Sequence, residues 1–130
     1  MIMYNYDKCY INGQWQTVSN GQVLDVIQPS TEQVIGTITL SGETDVNKAV
    51  KAAKEAFPRF SQTSKASRIA LLERIIQVYR KKMPIMARHI SDEMGAPMSL
   101  AQGAQAGSGL AHLEQALAAL ANSADEESLG

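Results

Sequence analysis

The feature that most constrains this chain is a change of sequence pattern at Ser41. Residues 4–40 consist of runs of β-forming residues separated by short turns rich in Asn, Gly and Ser. From Ser41 onward, apolar side chains recur every three or four residues, which is the period of an amphipathic helix. The chain is therefore predicted to fold as a β-rich segment followed by helices.

The β-rich segment contains a hairpin signal at Asn12-Gly13, where both residues accept the positive φ of a type I′ turn. Turn residues at 19–21 and 30–33 separate two later runs at 23–27 and 34–40. We predict that the strands pair as a short antiparallel β-meander.

The second part of the chain is predicted to contain about four helices, the first of which begins with Thr44 as its N-cap and Asp45 as an acid in its first turn. Pro58 is predicted to end the first helix and Pro84 to begin the third, because proline has no backbone N–H and suits the first turn. Gly95 is predicted to end the third helix. The predicted helices span about 44–58, 64–83, 84–95 and 99–121. The first two carry apolar stripes at Val46, Ala49, Val50, Ala53 and Phe57 and at Ile69, Leu72, Ile75, Ile76, Tyr79 and Met83.

Composition excludes several classes of function. Twelve Lys+Arg against 13 Asp+Glu give a formal net charge of −1, so nothing favours binding to nucleic acid or to an anionic membrane. A single cysteine, Cys9, rules out an internal disulfide framework and a Cys-rich zinc site. No apolar run approaches the roughly 18 residues of a membrane span, and the start of the chain lacks a secretory pattern. We therefore expect a cytoplasmic protein.

Candidate catalytic and binding residues each have a structural interpretation that we favour. Cys9 lacks a nearby histidine that would activate it as a nucleophile. His89 and His112 lack the spacing of a zinc site. Glycines at 103, 107 and 109 follow a predicted helix instead of a strand, which favours close helix packing over a nucleotide loop.

Acidic and methionine clusters are interpreted in the same way. Asp92 and Glu93 are adjacent on a predicted helix and therefore diverge, so a solvated surface is favoured over paired acids. The acids at 125–127 are interpreted likewise. Four methionines are interpreted as packing residues and not as a binding surface: Met83, Met86, Met94 and Met98.

Five short motifs occur in a fixed order between residues 10 and 97. They are YINGQW at 10–15, DVIQPSTEQVIG at 25–36, DVNKAVKAAKEAF at 45–57, RIALL at 68–72 and EMGAP at 93–97. In this order they resemble the opening of the NAD(P)-dependent aldehyde dehydrogenase superfamily. Departures from the family pattern are modest: Gln28 replaces Asn, Gln33 replaces Gly and Phe60 replaces Trp.

The resemblance implies an α/β fold with a Rossmann-like cofactor domain, represented here by its N-terminal β-ribbon and about four following helices. Residues 1–43 are then the N-terminal hairpin or ribbon, 44–121 the helical part of the cofactor-binding domain, and 122–130 a truncated polar tail. The strands of the family's parallel sheet come later in its sequence. The helices would therefore lack the sheet that they cover in the family, which leaves apolar faces prone to association.

The family reaction, by this resemblance, oxidises an aldehyde to a carboxylic acid through a cysteine thiohemiacetal and hydride transfer to NAD or NADP. The family's catalytic cysteine, general-base glutamate, oxyanion-hole asparagine and cofactor contacts lie downstream of the matched motifs. We therefore predict an oxidoreductase fragment that is inactive alone. No catalytic, cofactor-binding or metal-ligating residue is expected in this chain, and neither NAD nor NADP is expected to bind it alone. The chain by itself is not assigned as an enzyme.

Two alternatives stay open beside this interpretation. In one, the chain is a non-catalytic interaction fragment that pairs with itself as a homo-oligomer or with a full-length relative. In the other, it is an independent helical binding module that shares the sequence pattern. The expected partners are a small aldehyde for the full-length family, with no nucleic acid and no membrane.

Overall fold

A computed structural model describes residues 4–124 and residue 128. Within these residues, five strands precede four α-helices and one π-helical segment. The chain divides into two compact units. The first comprises residues 4–62 and 93–95, and the second comprises residues 63–92 and 96–124 together with 128.

The first unit contains a separate β-hairpin. Strand β2 (Lys8–Ile11) pairs antiparallel with β3 (Gln14–Thr17) through a two-residue turn. Asn12 and Gly13 form that turn with φ of 52° and 77°. This confirms the predicted hairpin, because a type I′ turn requires positive φ at both central residues.

A second sheet in the same unit differs from the predicted antiparallel meander. Its strand order is β1 (Tyr4–Tyr6), β5 (Gln33–Thr39) and β4 (Val23–Gln28). Strands β4 and β5 pair antiparallel, whereas β1 runs parallel to β5 with Tyr4 opposite Gly36. The meander prediction was wrong because it assumed that strands adjacent in sequence pair. Strands β2 and β3 pair with each other and not with β4 or β5. The edge of β5 that does not face β4 is therefore open, and β1 pairs there.

Helix α1 (Glu43–Ser61) continues through Pro58, so the prediction that this proline ends the helix was wrong. Gly42, and not Thr44, is the residue that caps its start. A proline removes one backbone N–H from the helix, and the last turn can continue without it. The Ser61 hydroxyl donates a hydrogen bond to the carbonyl of Pro58 at 3.1 Å, which supports this last turn.

Helix α2 (Lys65–Met94) is continuous over 30 residues. Pro84 lies inside it, so the predicted division into two helices at this proline was wrong. Ile76 before the proline and Ala87 after it are both buried. Packing on both sides of Pro84 therefore supports the helix where its own hydrogen bonding is interrupted. The helix ends before Gly95, whose φ of 73° confirms the predicted end.

The predicted helix over 99–121 is interrupted by a π-helical segment. Helix α3 (Met98–Leu100) leads into the segment Ala101–Gln105, which is followed by α4 (Ala106–Asn122). The N–H of Ala106 donates to the carbonyl of Ala101, five residues earlier, as in a π-turn. The core of the second unit is a cluster of buried alanines: Ala87, Ala101 and Ala106, with Ile90 and Ala96 packed against them.

Tyr79 on α2 and Gly109 on α4 bring these two helices into close contact. The Tyr79 hydroxyl donates to the carbonyl of Ala106 at 2.9 Å. A Cβ atom at position 109 would overlap that hydroxyl and lie 2.8 Å from the ring carbon Cζ of Tyr79. Gly109 therefore serves helix packing, in agreement with the interpretation of this glycine cluster from the sequence.

Replacing Gly109 is expected to destabilise the second unit. Gly109→Ala forces the Tyr79 ring out of its position, and such overpacking typically costs about 1–3 kcal/mol. The measurement is the free energy of unfolding from urea denaturation followed by circular dichroism.

Gly103→Ala is the matched control, because a Cβ at position 103 meets nothing within 4 Å. Alanine favours helix over glycine, so this variant is expected to keep or raise the stability by up to about 1 kcal/mol. Equal destabilisation by both variants would contradict the role assigned to Gly109.

Candidate functional site

The thiol of Cys9 has the surroundings of a residue in a strand pair and not those of a catalytic nucleophile. Cys9 lies on β2 opposite Gln16 of β3, and its Sγ donates to the carbonyl of Gln16 at 3.7 Å. A backbone carbonyl accepts a hydrogen bond from a protonated thiol and cannot remove its proton. Activation of a cysteine nucleophile requires a base or a cationic partner, and the hydrogen-bond acceptor of the Cys9 thiol is neither.

The two histidines lie on different helices, His89 on α2 and His112 on α4. Among residues 4–124 and 128, no group of three or more His, Cys, Asp or Glu side chains is placed to hold a metal ion. The same part of the chain contains no helix with the length and apolar character needed to cross a bilayer.

The predictions for the acidic and methionine clusters are confirmed only in part. Asp92 pairs with Arg88 one helical turn earlier, with Nε and Oδ2 at 2.9 Å, and Glu93 is exposed. The acids at 125–127 lie outside the described residues. Met83 is half-buried, as predicted for a packing residue. The packing prediction was wrong for three exposed methionines, Met86, Met94 and Met98.

The most strongly constrained charge in the first unit is Asp45, predicted from the sequence only as an acid in the first turn of a helix. Its side chain lies in α1 but is only 2% exposed. The backbone N–H of Ser19 donates to its Oδ2 at 3.0 Å, and Lys48 Nζ lies 3.6 Å from its Oδ1. Lys48 also donates to the Ser19 hydroxyl at 3.2 Å. This cluster ties the turn after the hairpin to the start of α1.

These contacts hold the pKa of Asp45 below the ordinary value of 3.8. The backbone hydrogen bond from Ser19 is the largest cause, and the Ser19 hydroxyl and the Lys48 ammonium act in the same direction. Burial opposes them, because desolvation disfavours the charged carboxylate. Each partner of Asp45 is a structural group, so the cluster stabilises the unit and has no free group for catalysis.

The second unit carries an open groove along one face of α2. It encloses about 420 Å³ and is lined by apolar side chains with two basic residues: Arg74, Ile75, Val78, Tyr79, Lys82 and Met86. Ile75 and Val78 are 40% and 56% exposed. We call this surface the α2 groove. It can bind an apolar segment of a partner, and it holds no acid or nucleophile that would carry out a reaction.

A smaller cavity in the first unit lies between the hairpin turn and α1. It encloses about 360 Å³ and is lined mainly by alanines of the helix and by residues 10–13 of the hairpin. Tyr10 and Trp15 contact each other edge to face at a ring-centroid distance of 5.3 Å, and both are exposed. Tyr10 is the one titratable side chain among the residues that line this cavity, and it has no second titratable group beside it there to form a catalytic pair.

Comparison with known families matches residues 15–129 to the aldehyde dehydrogenase family. A Staphylococcus saprophyticus protein that carries the same family name is 41% identical over 128 residues, which is 98% of this chain and 27% of that protein. The chain therefore spans about a quarter of the length of the relatives it matches.

Solved structures give the same result. The crystal structure of an aldehyde dehydrogenase from Bartonella henselae matches with a TM-score of 0.95 at 39% identity, covering 98% of this chain and 27% of that one. A mutant aldehyde dehydrogenase C from Pseudomonas syringae, solved with NAD+ and octanal, matches with a TM-score of 0.91 at 30% identity, covering 96% and 26%. These matches confirm the α/β fold class, with the chain corresponding to the N-terminal part of a Rossmann-like fold.

The Asp45 cluster makes the stability of the first unit dependent on pH. Because the folded-state pKa of Asp45 is lowered, its contribution is present above the pKa of the unfolded chain and is lost as the pH falls through the folded pKa. The free energy of unfolding should therefore decrease on acidification below about pH 5. Asp45→Asn should lower the stability near pH 7 and flatten this decrease.

Glu43→Gln is the matched control, because Glu43 is an exposed acid in the same helical turn. It is expected to keep the wild-type dependence on pH. Urea denaturation at a series of pH values measures both effects, and an unchanged slope in Asp45→Asn would contradict the assignment.

Proposed function

Since this chain belongs to the aldehyde dehydrogenase family, we propose that it is the N-terminal part of the cofactor-binding domain of an NAD(P)-dependent aldehyde dehydrogenase and does not oxidise aldehydes alone. The observation that carries the proposal is coverage. The match includes 98% of this chain but only 27% of the relative's length. About three quarters of the family's sequence, measured on that relative, therefore lies outside the matched segment.

The contacts of the thiol and of the buried acid support the proposal that this chain is inactive alone. Aldehyde oxidation through a covalent intermediate needs a thiolate, a general base and a bound dinucleotide in one cleft. The one thiol of the chain, on Cys9, donates to the carbonyl of Gln16. The acid with the strongest set of partners, Asp45, is engaged by Ser19 and Lys48. Neither group is available as nucleophile or base.

The residues present do not fit a dinucleotide. A phosphate cradle needs glycines that leave space for a ligand at the turn between a strand and a helix. Here the space beside Gly109 is filled by the Tyr79 hydroxyl, and the cluster of glycines lies within helical segments. We therefore assign NAD or NADP, and a small aldehyde as substrate, to the intact protein and to no residue of this chain. A cytoplasmic location without nucleic-acid or membrane partners belongs to the same proposal.

Activity assays test this proposal directly. Incubation of the purified chain with NAD or NADP and a panel of aldehydes should give no reduced cofactor, measured by absorbance or fluorescence of the nicotinamide. Equilibrium binding of each dinucleotide should likewise be absent. Turnover that disappears in Cys9→Ala would refute the proposal, because it would make this thiol the nucleophile.

A second candidate function is supported by the apolar faces of the helices. Val46 and Phe57 on α1 are 53% and 65% exposed, although they belong to the apolar stripe predicted from the sequence. Exposed stripes of this kind favour association. The chain would then serve as an interaction fragment that forms homo-oligomers or pairs with a full-length relative.

Light scattering tests the self-associating form of this candidate. The purified chain should show a mass above the 14.1 kDa of the monomer at high concentration. Phe57→Gln should shift the population toward monomer, since it removes an exposed apolar ring without opening a cavity. Gln62→Asn, an exposed polar exchange at the end of the same helix, should leave the mass unchanged. A monomer at all concentrations would contradict self-association.

A further inference from the structure

Two of the five asparagines in this chain are followed by glycine, at Asn12-Gly13 and Asn20-Gly21. Glycine has no side chain to hinder its backbone nitrogen, so that nitrogen can attack the side-chain amide of an asparagine that precedes it. Both asparagines have left-handed backbone conformations, with φ of 52° and 51°. The two sites therefore share their local chemistry and differ in what surrounds them.

We infer that Asn12 is a site of spontaneous deamidation in the folded protein, and that the contacts of Asp45 protect Asn20 from the same reaction. The co-reactant is water, so no enzyme or cofactor is needed. The inference concerns a covalent modification of the hairpin turn, and it does not depend on the activity assigned to the intact protein.

The reaction closes a ring and then opens it. The backbone nitrogen of Gly13 gives up its proton and bonds to Cγ of Asn12, the bond from Cγ to the side-chain nitrogen breaks, and ammonia leaves with the proton. Water then cleaves one of the two C–N bonds of the cyclic imide. Cleavage at Cγ leaves an aspartyl residue, whereas cleavage at the main-chain carbonyl leaves an isoaspartyl residue, in which the backbone passes through Cγ.

The hairpin turn leaves Asn12 and Gly13 open to this reaction. Both residues are exposed, and a Cβ atom at position 13 would meet nothing within 4 Å. In the described part of the chain, the strands that flank this turn form a two-stranded sheet. Such hairpins are marginally stable, and segments with few buried contacts open at low cost. The turn can therefore open locally to the ring-forming geometry, which a type I′ turn does not have.

Asn20 is also exposed, but the backbone on both sides of it is held. The N–H of Ser19 donates to Oδ2 of Asp45 at 3.0 Å, and this acceptor is charged and buried. On the other side, a Cβ atom at position 21 would overlap the carbonyl oxygen of Leu40. Ring closure at Asn20 must therefore move a packed glycine and strain a charge-assisted hydrogen bond, which raises the cost of opening.

Deamidation of Asn12 changes both the charge and the length of the turn. Asn12 lines a cavity of about 230 Å³ together with Lys48 and Lys51 of α1. The aspartyl product adds a carboxylate to a cavity that already holds two ammonium groups, which is electrostatically favourable. The isoaspartyl product adds one carbon to the backbone, which a two-residue turn cannot accommodate in the same register. The two products therefore have opposite effects on the contact between the hairpin and α1.

Peptide mapping after timed incubation tests the inference. The full chain is kept folded at mildly alkaline pH, where the attacking nitrogen loses its proton more readily, and is then digested with chymotrypsin. Cleavage after Tyr10, Trp15 and Leu24 places the two asparagines in separate peptides, 11–15 and 16–24. Mass spectrometry should show the aspartyl and isoaspartyl forms of the first peptide accumulating at least about fivefold faster than those of the second.

Variants and denaturant separate protection by the fold from intrinsic reactivity. Asp45→Asn should raise the rate at Asn20 at least about fivefold and change the rate at Asn12 less than about twofold, because the carboxylate holds Ser19 and not the hairpin turn. Glu43→Gln, the matched control, should change neither rate more than about twofold. Circular dichroism verifies the fold of each variant, and Lys48→Gln replaces Asp45→Asn if the latter is unfolded.

Denaturing urea supplies a measurement that needs no folded variant. Unfolding removes the contacts around both asparagines, and glycine follows each of them. The two wild-type rates should therefore come within about twofold of each other in urea.

Three results would each overturn the inference. They are equal rates at the two sites in the folded chain, a faster reaction at Asn20, and a difference between the sites that persists in urea. A folded Asp45→Asn variant with an unchanged rate at Asn20 would overturn the protective role of Asp45. None of these results bears on whether the chain alone oxidises aldehydes, which the activity assay decides.

Discussion

An amphipathic helix is stable in a protein only where its apolar face is covered, and this chain covers only part of the apolar faces of its own helices. Among the described residues no large side chain is fully buried, and the core of the second unit is a cluster of three alanines. Alanine contributes little apolar area, so this cluster buries less apolar surface than a cluster of larger side chains would. The fold of each unit therefore depends on a small number of specific contacts.

Two polar contacts have this role, one in each unit. In the first unit the buried carboxylate of Asp45 accepts the backbone N–H of Ser19 and joins α1 to the turn that precedes β4. In the second unit the Tyr79 hydroxyl reaches the carbonyl of Ala106 and sets how closely α4 approaches α2. A buried polar group is costly when it is unpaired, so such contacts specify one arrangement and disfavour others.

Local signals in the sequence were sufficient where the structure is decided locally. The Asn12-Gly13 turn and the end of α2 at Gly95 follow from backbone preferences of those residues, and both predictions are confirmed. Residues whose conformation depends on distant partners were not predictable in this way. The parallel pairing of β1 with β5 joins Tyr4 to Gly36, and the continuation of α2 through Pro84 depends on the packing of Ile76 and Ala87.

The residues of the candidate site also divide into those predictable from local sequence and those that depend on distant contacts. The sequence placed Asp45 in the first turn of a helix, but its burial depends on Ser19, which lies 26 positions earlier. The α2 groove was foreseen only as an apolar stripe, because periodicity shows which residues share a face and not whether another element covers it. Ile76 of the predicted stripe is buried, whereas its neighbour Ile75 is 40% exposed. The family, by contrast, was evident from the order of five motifs, and the matched residues 15–129 confirm it.

The π-turn at Ala101–Gln105 has a consequence for the phase of the helix that contains it. In a regular α-helix, residues five positions apart point about 140° away from each other. Here Ala101 and Ala106 are five positions apart and both lie in the buried cluster. The wider turn therefore accommodates one extra residue, so that the parts of the helix before and after it have different registers. Position 109 faces Tyr79 in the register that follows the wider turn. A one-residue deletion within Ala101–Gln105 would restore a regular turn and leave that glycine in place, whereas a deletion between Ala106 and Gly109 would turn it away and bring a residue with a side chain in its place.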